Sequence, residues 1–321
     1  MKQYPWTIGI LLLLVSLEIF PQDFLKKGID LYSEGKFEDA EKIFENILND
    51  NSENAQANFY MGLISIKLNN DYDKAEDYLE EAVDQAPDSA DYHYWLGVVY
   101  GTLARNASIF SQVSLASGCK DEFESAVKLN PRHIQARIGL IQYLIQAPGI
   151  MGGSMEDAEK NIEKLKELSL YDYYAMKTTF ALHEEKYDDA INYIQKAITA
   201  DSTRIEAYNT LGYLYLQYSK DPQKAIAVFK QMVNVKPDNA NSYDSLGDGY
   251  FHAKMYDEAL SSYKKALEIN SDFFPSMFNL GRVYDTMNNK QDAVKWYKKY
   301  LSKADEGKLS DLARERIDAL E

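Results

Sequence analysis

Gln146 to Ala158 reads QAPGIMGGSMEDA, three glycines ahead of what looks like a helix start. Glycine-rich turns at helix N-termini bind phosphate because free backbone N–H groups and the positive end of the helix dipole face the anion. Such a loop wants a lysine and a hydroxyl after its last glycine, whereas here Ser154 and Met155 lead into Glu156 and Asp157, which repel phosphate. The stretch therefore reads as a turn. Pro148 stops the helix before it, Gly149, Gly152 and Gly153 supply turn conformations, and Ser154 with Asp157 forms an N-terminal cap for the helix after it. The four histidines, His93, His133, His183 and His252, contain no pair at metal-ligand spacing. There is no Gly-x-Ser-x-Gly elbow, and the single cysteine, Cys119, cannot supply a disulfide or a multi-thiolate metal site. The chain reads as a protein that is not an enzyme and takes no cofactor or metal. Asn106-Ala107-Ser108 matches a glycosylation acceptor, a triplet too common to weigh much.

Charge and hydropathy narrow the partners. The 321 residues carry 35 Lys and Arg against 50 Asp and Glu, a net charge of −15, which argues against nucleic acid or an anionic membrane surface and for a basic or neutral protein or peptide. At 45% hydrophobic residues the chain can bury a substantial core. Lys2 followed by an apolar run from Trp6 to Leu17 fits the core of a secretory signal and is short for a membrane span. Residues 1–20 are expected to direct export to the periplasm or cell envelope. Glu18, Ile19 and Phe20 give no small-x-small cleavage pattern, so a retained inner-membrane anchor at residues 6–17 is the alternative. No cysteine follows the run, which excludes a lipoprotein.

The elements that would position any site come from an internal repeat. The segment from Ser242 aligns with that from Ser276 at an offset of 34 residues, with Leu246-Gly247 on Leu280-Gly281, Tyr250 on Tyr284, Ala259 on Ala293 and Tyr263 on Tyr297. The frame continues backward through Gly212, Gly97, Gly62 and Gly28, while Ile141 and Thr178 take the glycine position in two weaker units. Gly and Ala belong where two helices cross closely, and Leu, Tyr and Phe fill the space between hairpins, so the aromatic excess reads as core. Cys119 falls on the small-residue position of Ala259.

This pattern resembles the tetratricopeptide repeat, a helix-turn-helix unit. The resemblance implies an all-α right-handed superhelix, an α-solenoid, of about eight units over residues 21–305, the third and fourth extended, with a capping helix at 306–321. The cap would pack through Leu312, Ile317 and Leu320. The long third unit, followed by the glycine loop, is also similar to a group of bacterial exported tetratricopeptide proteins.

From that resemblance the chain is expected to be a non-catalytic interaction scaffold of the bacterial cell envelope, holding a partner segment in the groove lined by the first helices. The alternative is a membrane-tethered assembly factor organising an envelope complex. The groove positions fall on Asn209 and Tyr213, then Asn241, Asp244, Asp248 and Phe251, then Phe278 and Arg282. Asp244 and Asp248 stand four apart on one helix, where like charges oppose folding. They read either as a grip on a basic partner residue or as a solvated acidic face relieved by Arg282. The lysine and asparagine of carboxylate-clamp repeats are missing, since Leu25, Ile29, Phe59 and Leu63 occupy those positions.

Overall fold

The computed structural model describes residues 21–321, and the apolar run of residues 6–17 lies outside them. Seventeen α-helices and one 3-10 turn make up its regular structure, with no strand among the described residues. The first sixteen run in eight successive pairs, and all but the fourth pack as antiparallel hairpins: α1 (Pro21–Ser33) with α2 (Phe37–Asp50), α3 (Ala55–Asn69) with α4 (Tyr72–Gln85), and α5 (Ala90–Asn106) with α6 (Ile109–Leu129), while the fourth pair is α7 (Ile134–Gln146) and α8 (Met155–Leu165). The series continues with α9 (Leu170–His183) and α10 (Tyr187–Ala200), α11 (Ile205–Gln217) and α12 (Pro222–Val235), α13 (Ala240–His252) and α14 (Tyr256–Ile269), and α15 (Phe274–Thr286) and α16 (Lys290–Leu301), before α17 (Lys308–Leu320). Two compact units divide the chain. One takes in the described residues to Tyr143 with Gly149–Gly152, the other Leu144–Pro148 with Gly153–Glu321.

The repeat residues fold the hairpins as their sizes require. A Cβ on Gly212 would sit 2.2 Å from the Phe229 ring, so only glycine lets α11 lie this close to α12. Ala225, Ala259 and Ala293 are fully buried on the opposing helices, as are Phe229 and Tyr263. Burying a large apolar side chain is worth about 1.5–3 kcal/mol, so these crossings dominate each hairpin's stability. Asn54, Asp71, Ser154, Asp221 and Asn239 each cap a helix by accepting a backbone N–H three residues on.

One device recurs in the turns within hairpins. Asn70, Glu185, Lys220, Lys254 and Asn288 all take φ between 52° and 62°, and Gly35 takes 77° in the first hairpin. This left-handed residue lets the chain reverse in a few residues. The third hairpin has the longest helices, 17 and 21 residues, where most others have 13 to 15. In the fourth pair α8 shortens to 11 residues and the connection lengthens instead.

The last helix packs differently from the expected register. Ser310, Ala313 and Ile317 are buried, with Leu320 against the same cluster of Phe278, Tyr297 and Tyr300, while Leu312 remains 41% exposed. The small side chains of Ser310 and Ala313 allow close approach, and Leu312 points about 100° away from Ala313 around the helix. Arg316 fixes this register by donating from Nε and a terminal nitrogen to the two oxygens of Asp285, at 2.8 and 3.0 Å.

Candidate functional site

The glycine loop is a closed turn. Gly149–Met151 form the 3-10 turn, the Gly152 N–H donates to the Gly149 carbonyl, and Tyr143 Oη donates to the Met151 carbonyl at 2.5 Å. Gly152 has φ +86°, and a Cβ on Gly153 would meet the Ala147 carbonyl oxygen at 1.8 Å. Both glycines answer to backbone geometry. Ser154 then caps α8, its hydroxyl accepting the Asp157 N–H at 3.2 Å, and its own N–H donates to the Leu144 carbonyl.

Two of the histidines tie neighbouring elements together. His93 on α5 presents Nδ1 to Glu122 of α6 at 2.5 Å and Nε2 to the Pro87 carbonyl at 2.8 Å. His133 accepts the Ala136 N–H at Nδ1 and meets Asp91 through Nε2 at 3.1 Å. Cys119 is 4% exposed in the α5–α6 crossing, and burial pushes its thiol up to about 12, against a small opposing pull from Arg105. A thiol held protonated is a poor nucleophile.

The groove positions of hairpins six to eight converge on two aspartates. Asp248 accepts from Tyr213 Oη at 2.7 Å, Tyr263 Oη at 2.8 Å and an Arg282 terminal nitrogen at 3.0 Å. The Arg282 guanidinium also lies over the Phe251 ring, 4.3 Å from its centroid, a cation–π arrangement. Asp244 accepts from Ser276 Oγ at 2.6 Å and Asn279 Nδ2 at 3.1 Å, both through Oδ1. One hairpin earlier, Asn209 accepts from Ser245 Oγ at 2.8 Å. Polar groove residues are thus used to join one first helix to the next.

Burial follows the same division. Asp244 is 6% exposed, so the reading of a solvated acidic face fails there: the next hairpin lays Ser276 and Asn279 over it. Burial above all, then the neighbouring Asp248 charge, pushes the Asp244 carboxyl above its ordinary range, while the two donors pull it back down. Burial and then Asp248 likewise drive the Tyr213 and Tyr263 phenols upward. Phe278 is buried against Tyr297 and Tyr300, Asn241 is exposed, and Asn209, Tyr213, Asp248, Phe251 and Arg282 are half-buried. Tyr263, Ser245, Ser276 and Asn279 complete the network without having been singled out in the sequence. Their signal was spacing, since Ser276 and Asn279 follow Asp244 by 32 and 35 residues, close to the repeat period.

Comparison with known proteins places this arrangement. The family model described as tetratricopeptide repeat matches residues 31–100 and 181–246, and two further models of that description match 240–273 and 274–302. Tetratricopeptide repeat protein 37 of Xenopus laevis is 27% identical over 290 residues, covering 89% of this chain and 17% of that protein. Superkiller complex protein 3 of Homo sapiens is 23% identical over 280 residues, covering 87% of this chain and 18% of its own. The chain thus spans less than a fifth of the length of these curated relatives. The crystal structure of yeast Tom70 superposes with a TM-score of 0.72 at 15% identity, over 98% of this chain and 67% of that one, which shows a shared fold. Proteins of this architecture are generally scaffolds that bind other proteins. From the close glycine crossings to the period that links each groove aspartate to the next hairpin, the chain belongs to the tetratricopeptide repeat family.

Proposed function

We propose that the protein is a non-catalytic interaction scaffold that holds a segment of a partner protein across the first helices of hairpins six to eight. The observation that carries this reading is the set Tyr213, Phe251 and Arg282, half-buried at groove positions of three successive hairpins, with the exposed amide of Asn241 at the start of α13. Aromatic and arginine side chains of this kind make desolvated anchors. Asp248 is already neutralised by Arg282, so the segment meets an aromatic and amide surface more than a bare negative charge. This favours a neutral segment with an apolar anchor over a strongly basic one at this site.

The setting belongs to the same proposal. The apolar run from Trp6 to Leu17 behind Lys2 supports export to the cell envelope, and retention of the run as an anchor is the alternative, because Glu18, Ile19 and Phe20 give no small-x-small cleavage pattern. A relative named as a component of the superkiller complex is consistent with work inside an assembly.

A photo-crosslinking residue placed at Asn241, and separately at exposed Lys264 on the second helix of the same hairpin, tests the site in the native host. One defined adduct from position 241, lost in Tyr213→Ala/Phe251→Ala protein that still folds, is the expected result. Adducts only from position 264 would move the binding surface away from the groove. Sequencing the mature N-terminus decides between cleavage near Phe20 and retention of Met1.

A further inference from the structure

Arg282 is held at its tip and unsatisfied further back. One terminal nitrogen donates to Asp248 at 3.0 Å and the guanidinium lies over Phe251, yet its Nε is buried with no acceptor among the described residues. A buried N–H without a partner costs free energy comparable to a lost hydrogen bond. One turn earlier on α13, Asp244 accepts from both Ser276 and Asn279 through Oδ1, and its other oxygen takes no hydrogen bond among the described residues. An orphaned donor on α15 and a spare acceptor on α13 thus stand within a turn of one another.

Spacing along α13 keeps them apart. Asp244 and Phe251 are seven residues from each other, about 10 Å along the axis, with Asp248 between them. A guanidinium lying on Phe251 reaches Asp248 and gives no hydrogen bond to Asp244. A proton decides whether that is enough. Burial first, and then the Asp248 charge, set the Asp244 carboxyl at about 6, with Ser276, Asn279 and Arg282 pulling it down. Below that value Arg282 balances one carboxylate, and above it the same charge is shared by two. The other titratable groups packed here supply no second positive charge as pH rises. Tyr213 of α11 and Tyr263 of α14 are phenols that burial pushes upward, so they stay neutral donors. Burial holds His252 of α13 below its ordinary value, against the pull of Asp248 and with the push of Arg282 and Lys220.

We infer that Arg282 is a proton-controlled cover on Phe251: with Asp244 protonated it lies across the ring and serves Asp248 alone, and with Asp244 ionised it shifts toward the start of α13, brings Nε to the free oxygen of Asp244 and bares the ring. This rests on the reading that Phe251 anchors a partner segment, and it adds that the groove opens as pH rises and Asp244 loses its proton. Each position satisfies a group that the other leaves wanting, the ring face in one and Nε in the other, so one side chain has two discrete arrangements whose populations the proton shifts.

The chain has only seven arginines, so their Nε–H signals can be followed one by one. Full-length protein labelled with nitrogen-15 arginine is titrated by NMR from about pH 4.5 to about pH 7.5, a range that brackets a raised carboxyl, and Arg282→Lys identifies the Arg282 signal. In the wild type that signal should move with a single midpoint of about 6, and its nuclear Overhauser contact with the Phe251 ring should be lost on the way up. Asp244→Asn should hold both at their low-pH state throughout, whereas His252→Gln should titrate as the wild type does. A fixed wild-type signal, a titration that survives Asp244→Asn, or a ring contact that persists at the upper pH would each overturn the inference. The spectrum needs no partner. An arginine that moves in a protein whose position 241 captures nothing would therefore sink the binding reading alone.

Discussion

Replacing Asp244 by asparagine should stabilise the protein at neutral pH, against the usual expectation for a buried residue that accepts two hydrogen bonds. Both donors, Ser276 Oγ and Asn279 Nδ2, use Oδ1, and an asparagine keeps that oxygen in place. What the substitution removes is a carboxylate taken out of water beside a second carboxylate, and burial is the larger cause of the raised value. In the folded protein the Asp244 carboxyl sits at about 6, against an ordinary 3.8. A tenfold change in acidity corresponds to about 1.4 kcal/mol, so the ionised form costs on the order of 3 kcal/mol at neutral pH, an upper bound because Asp248 shares the site. The sign follows from proton counting. Between the unfolded and the raised folded value the folded state binds more protons, so this contribution to stability is present below the lower value and is lost as pH rises through the upper one. Urea unfolding of wild type and Asp244→Asn at pH 4 and pH 7.5 reads it directly. The variant should be more stable by about 1–3 kcal/mol at the higher pH, with the gap closing at the lower. A variant less stable at pH 7.5, or a gap that does not change with pH, would refute the electrostatic account. Asp244→Leu serves as the control, because it also removes the carboxylate but leaves Ser276 and Asn279 buried without an acceptor, so it should fall below Asp244→Asn by about 1–3 kcal/mol at both values.

Three further outcomes are expected. Ser154→Ala should cost about 0.5–2 kcal/mol by thermal unfolding, the usual worth of a lost helix cap. Gly153→Ala should cost more, since its Cβ would stand 1.8 Å from the Ala147 carbonyl oxygen; equal effects would show that the loop relaxes freely. Ending the chain after Glu306 removes Ala313 and Ile317 from Phe278, Tyr297 and Tyr300 and releases Asp285 from Arg316, so sedimentation should show stronger self-association than that of the whole protein. Cys119, buried and with its thiol pushed to about 12, should react with iodoacetamide at pH 8 only after urea unfolding; rapid labelling of the native protein would place it at the surface.

The readable part of this fold is the part that a single residue type decides. Gly212 against Phe229, or Ala259 in the next hairpin, must be small because two helices cross there, and a requirement repeated every 34 residues shows in one sequence. The glycine loop was readable for the same reason, since Gly152 and Gly153 answer to backbone geometry alone. The left-handed turn residues were not. Glu185, Lys220 and Lys254 adopt positive φ although nothing in a glutamate or lysine asks for it, because the packed helices on either side impose the reversal at a cost of order 1 kcal/mol. Asp244 shows the deeper limit. Its helix position placed it on the groove face, but its burial is decided by Ser276 and Asn279 of the following hairpin, whose meaning appears only when side chains are read across the repeat and not along it. Asp248 with Arg282, Asn209 with Ser245 and Asp285 with Arg316 are spaced by 34, 36 and 31 residues, and each pair joins neighbouring first helices or the last of them to α17. Polar residues that have a partner near the repeat period therefore hold the stack in register, and a groove position is no guarantee of a ligand contact. Recognition is better sought at polar and charged groups that lack such a partner. By that criterion the exposed amide of Asn241 stands out more strongly than the aspartates that first drew notice, and Tyr213 and Arg282 meet a partner only with the faces that Asp248 leaves free.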